Sequence, residues 1–139
     1  MKIEVKYPVL VFPSYEKMVY VFRKESGLTH TTVTLLKTIK YDGMEIVTSS
    51  GMKHTIKDAY KIKYLGFWGF NPMLKGRQIL IDFNFYENPS RVDLPELKKR
   101  VMECVRANKD FWESAWDIKE LVSEIESADS FEMVAELVG

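Results

Sequence analysis

The chain of 139 residues has one cysteine, Cys104, so no disulfide can form within it and the fold does not depend on an oxidising compartment. Histidine is nearly as scarce. His30 and His54 are the only two, and neither has a serine or cysteine context that suggests a nucleophile beside it. His54 with Asp58 is too small a set for a metal centre. Uninterrupted apolar runs are short: Val9 to Phe12 holds four residues, where a membrane-crossing helix needs about 20. Met1 to Phe12 alternates charged with apolar residues and lacks the apolar core of a signal peptide, so a cytoplasmic, soluble protein without membrane contact is expected. The glycines at 66, 69 and 76 do not have a phosphate-cradling spacing, and no Gly-Lys-Ser/Thr follows them.

Apolar residues make up 46% and charged residues 29% of the chain, an ordinary globular composition at a length that suits one domain. Net charge is zero, but residues 1–92 carry 14 Lys/Arg against 8 Asp/Glu, and residues 93–139 carry 6 against 12. Such a split marks either two binding surfaces or two halves that attract each other; for one compact domain the second reading is favoured.

The apolar rhythm of the first two-thirds has period two, the mark of half-buried strands. Lys2 to Tyr7 alternates, with Ile3, Val5 and Tyr7 on one side. Pro8 and Pro13 bracket Val9 to Phe12, which therefore reads as an edge strand. Met18 to Lys24 alternates again, and Glu25-Ser26-Gly27 reads as a turn. Asp42-Gly43 suits a type I′ hairpin that places Tyr41 opposite Met44, Lys40 opposite Glu45 and Ile39 opposite Ile46. Ser49-Ser50-Gly51 is a second turn, leading to strands at Met52 to Lys57 and Tyr60 to Tyr64. From Arg77 to Tyr86, Ile79, Ile81, Phe83 and Phe85 share one face. The stretch 66–76 has no period and reads as a loop.

Near residue 90 the rhythm changes. Asp93-Leu94-Pro95-Glu96 is an acidic capping box with proline in the first turn. Leu94, Leu97, Val101, Cys104 and Val105 then recur at helical spacing. Asp117 and Asp129-Ser130 open two further helical stripes. These patterns predict one α+β domain over 1–139: a curled, barrel-like antiparallel meander of six to seven strands (1–88), with two to three helices (93–139) packed on it.

Chemistry-bearing residues are few. Mid-helix Cys104 reads as a buried hydrophobe rather than a reactive thiol. Asp82 stands alone on a strand, and Glu120, Glu124, Asp129, Glu132 and Glu136 read as hydrated helix surface. No enzyme, cofactor or metal is expected. Two features point to binding. Lys53 to Arg77 holds six Lys/Arg against one acid, Asp58, with Tyr60, Tyr64, Phe67, Trp68 and Phe70 interleaved. Cations with aromatic faces suit single-stranded nucleic acid, whereas on a half-exposed strand Tyr60, Ile62 and Tyr64 would face core and Lys61 and Lys63 water; the latter arrangement is favoured. Trp112 and Trp116, four apart, share one helical face, and are read as core rather than as an exposed anchor.

The order Ser50-Gly51-x-Lys53-x-Thr55-Ile56, Trp68-Gly69-Phe70, Arg77-x-Ile79-x-Ile81, Asn108-Lys109-Asp110-x-Trp112 and Trp116-Asp117 resembles small uncharacterised bacterial proteins. The resemblance covers roughly residues 45–135 and implies a bacterial cytosolic protein; it carries over no activity and no site residue. The expectation is thus a non-enzymatic protein-interaction module of inhibitor, immunity or accessory type. It would hold its partner by the aromatic loop Phe67, Trp68 and Phe70 or by the acidic helical end. Weak single-stranded nucleic-acid binding by Lys61, Lys63, Tyr64 and Arg77 is the alternative. A monomer is expected, or a homodimer through an open edge at Val9 to Phe12.

Overall fold

The computed structural model describes residues 4–65 and 78–139. Its strands are β1 (Val9–Phe12), β2 (Tyr20–Phe22), β3 (His30–Thr32), β4 (Glu45–Val47), β5 (Met52–Tyr64), β6 (Gln78–Phe85) and β7 (Ser90–Arg91). They form one curled antiparallel sheet in the order β2-β1-β4-β5-β6-β3, with β7 paired beside the start of β5. Two short helices, α1 (Glu25–Thr29) and α2 (Val33–Thr38), flank β3. Four more follow the sheet: α3 (Leu94–Ala107), one-turn α4 (Lys109–Glu113), α5 (Ile118–Ser127) and α6 (Phe131–Val138). The α+β fold with a half-barrel sheet and C-terminal helices is the one the sequence predicts.

Alternation along β1 explains the layering. Leu10 and Phe12 point into an apolar cluster shared with the helices, where Leu97, Val101, Leu121, Ile125 and Val134 are buried. Val9 and Val11 point the other way, into a second cluster with Leu28, Ile46, Ile56, Ile79, Ile81 and Phe83. The curl of the sheet wraps β6 and β3 around this second cluster, and residues of α1 and α2 fill its open side. The three longer C-terminal helices are capped as their sequences require. Asp93, Asp117 and Ser130 accept from the backbone N–H groups of Glu96, Glu120 and Met133. Trp112 is buried in the first cluster, and Trp116, partly buried, packs against it.

Five expectations are corrected. Glu4 to Tyr7 is not a strand; Val5 and Tyr7 do pack inward, but no neighbouring strand pairs with this segment among the described residues. Alternation reports burial, not the presence of a ladder partner. Val9 to Phe12 is an interior strand, paired with both β2 and β4 and fully buried, so it offers no edge for a homodimer. Pro8 and Pro13 lie just outside it and remove none of its ladder donors.

The Asp42-Gly43 turn exists, closed by Met44 N–H donating to the Tyr41 carbonyl, but it joins no hairpin. Only Gly43 has positive φ, at +84°, where type I′ needs two such residues. The chain before it is α2, capped by the Thr32 side chain, and β4 pairs with β1 and β5 instead. Finally, Glu25-Ser26-Gly27 is the first turn of α1, and Met52 to Tyr64 is one strand running through Asp58-Ala59.

Candidate interaction surface

The second half of β5 is built differently from the first. Up to Thr55 it is flanked by β4, and up to Lys53 by β7; beyond Ile56, β6 is its only strand partner among the described residues. The register with β6 slips twice, leaving Lys57 and Ile62 as extra residues on β5. Each slip is a β-bulge, which changes the face that every later residue takes. Residues directly opposite share a face. Ala59, Lys61 and Tyr64 therefore lie with Phe83, Ile81 and Ile79, on the side of the second cluster. Asp58, Tyr60 and Lys63 lie on the outer side with Asn84, Asp82 and Leu80. The Lys61 ammonium confirms this pairing, sitting 4.3 Å over the Tyr64 ring.

This overturns the expected division of Tyr60, Ile62 and Tyr64 against Lys61 and Lys63. All five side chains are exposed: Tyr60 is 41%, Ile62 49% and Tyr64 40% accessible. The short helices pack on β2, β3 and β6, so among the described residues no helix covers the end of β5. On the outer face Asn84 Nδ2 donates to the Asp58 carboxylate at 2.7 Å, and the Asp82 carboxylate accepts from the Phe83 N–H at 2.8 Å. Phe67, Trp68, Phe70 and Arg77, the other residues expected to bind, lie outside the described residues.

No family model matches the chain, and neither curated proteins nor solved structures show a significant match to it.

Elsewhere the chemistry-bearing residues are structural. His54 is buried beside the Phe85 ring, centroids 5.8 Å apart, and burial holds its imidazole below the ordinary 6.5. His30 is exposed on β3 and pairs across to Leu80. The Cys104 thiol is buried and pushed up by that burial. Glu45 is paired twice. It takes Arg100 and Lys53, and the Arg100 guanidinium lies 3.9 Å from the centroid of the Phe12 ring. Burial works to raise the Glu45 pKa, but the hydrogen bonds and charges of Arg100 and Lys53 outweigh it and hold the carboxyl below its usual range. Among the described residues no group of three or more His, Cys, Asp or Glu is placed to hold a metal. No helix there is long and apolar enough to cross a membrane.

One feature escaped the sequence altogether. Between the two end strands of the sheet, β2 and β3, lies a mostly apolar cleft of about 350 Å³ with Tyr15, Tyr20, Leu35 and Tyr41 in its walls. Its residues come from β1, β2, α1, β3, α2 and the turns beside them, and no local pattern unites them.

Proposed function

We propose that this protein is a non-enzymatic interaction module that holds a protein partner along the open edge of β5, from Lys57 to Tyr64. The observation that carries the reading is the exposure of Tyr60, Ile62 and Tyr64 on a strand edge that no described strand covers. Unpaired strand edges offer backbone donors and acceptors to an added strand, which would meet Tyr60 on one face of the sheet and Tyr64 on the other. The bulge at Ile62 argues against the nucleic-acid alternative. It sends Lys61 and Lys63 to opposite faces, so they do not form the single cationic groove that tracks a phosphate backbone.

The test places the photo-crosslinking residue p-benzoylphenylalanine at position 62 in cells that make the protein naturally. Illumination is expected to give discrete protein adducts that disappear when Tyr60→Ser is added, with the circular dichroism spectrum unchanged. Adducts only to nucleic acid, or no adducts, would overturn the reading.

A further inference from the structure

We infer that the segment of the partner seated on this edge is an extended, acid-rich peptide. The inference rests on the interaction reading above and adds the chemistry of the partner. Charge complementarity carries it. Lys6, Lys17, Arg23, Lys53 and Arg100 are each committed to a carboxylate of the same chain. Lys57, Lys61 and Lys63 are exposed, and among the described residues no carboxylate lies within ion-pair distance of any of them. Asp58, the nearest acid in sequence, accepts from the neutral Asn84 amide and keeps its charge, so Lys57 to Tyr64 carries three lysines against one acid.

The register says how such a peptide meets them. A strand added to the edge of β5 sends alternate side chains to the two faces. Lys61 waits on one face and Lys63 on the other, so acids at neighbouring positions of the added strand each find a cation. Ile62, between them, is an aliphatic group that gives apolar contact but no stacking platform for a base. Charged pairs of this kind set partner choice and association rate more than raw affinity.

The experiment uses the full chain with p-benzoylphenylalanine at position 62, crosslinked in its native cells, and sequences the partner peptide joined to it. Peptides rich in Asp and Glu are expected. A Lys57→Glu/Lys61→Glu/Lys63→Glu background should cut adduct yield in cells about tenfold, as should raised salt in a parallel sample illuminated after lysis. If the triple variant does not fold by circular dichroism, Lys61→Gln/Lys63→Gln replaces it, with a smaller loss in the same direction. Protein adducts whose peptides are not acidic, or whose yield ignores the lysine changes, would sink the acidic-partner inference and leave the interaction reading standing. Adducts to nucleic acid alone would remove both.

Discussion

Gly51 lies where the sheet meets the last helix. Its φ is +85°, and a Cβ there would lie 3.2 Å from the Phe131 ring. Its N–H donates to the Thr48 carbonyl and its own carbonyl accepts from Val92, so the turn cannot relax without losing hydrogen bonds. Gly51→Ala is therefore expected to destabilise the fold by about 1–3 kcal/mol, read as a lower midpoint in chemical denaturation with unchanged slope. His54 gives a prediction of another kind. Its imidazole is below 6.5 in the folded chain because burial disfavours the charged form. The unfolded chain therefore binds the proton more readily. The stability tied to His54 is complete above the unfolded value and is lost as pH falls from about 6.5 toward the folded value. Glu45, also lowered, loses its contribution only below the ordinary carboxylate value of 4.5. Denaturation midpoints between pH 7.5 and 5.5 should thus fall in the native chain and stay flatter in His54→Gln. Equal slopes in the two proteins would refute the assignment. The buried character of Cys104 was legible from its place on an apolar helical face; that of His54 was not, because nothing in Lys53-His54-Thr55 marks the inner side.

At the scale of elements, legibility followed local chemistry. The helices after residue 93 announce themselves by caps and stripes that need no partner to be recognised. Asp93 is the clearest: its side chain accepts from the Glu96 N–H at 2.9 Å. Asp93→Ala should cost about 1 kcal/mol, seen in thermal denaturation, with Asp93→Ser restoring most of it. Strand β6 was equally readable, since Ile79, Ile81 and Phe83 are buried at alternate positions. What failed were inferences that needed a partner. The α1–β3–α2 segment holds a three-residue strand between helices of five and six residues, too short for any period to register. In β5 the alternation Tyr60-Lys61-Ile62-Lys63-Tyr64 implied one apolar face, but a bulge is set by pairing to β6 and is invisible in a single strand. The candidate surface was legible in composition and not in geometry.

For the whole molecule, the charge split resolves into attraction between layers. Lys6 pairs with Glu132, Lys17 with Glu103 and Arg23 with Glu136, each joining the basic sheet portion to the acidic helices. These pairs are exposed and individually weak. Apolar contact binds the layers more firmly, because the two clusters share their strands: β1 sends Leu10 and Phe12 to one and Val9 and Val11 to the other, and β4 divides Val47 and Ile46 in the same way. Neither cluster can lose its packing without exposing the backs of strands that the other needs. The molecule should therefore unfold as one unit. Trp112 is buried on the helical side and Trp116 packs beside it, so tryptophan fluorescence in a Trp68→Phe background follows the helix-side cluster, while far-ultraviolet circular dichroism follows secondary structure in both layers. The two denaturation curves should superimpose, as they do for small two-state domains. Separated midpoints would mean that the half-barrel and the helical layer hold independent cores, and the strand-sharing argument would fail with them.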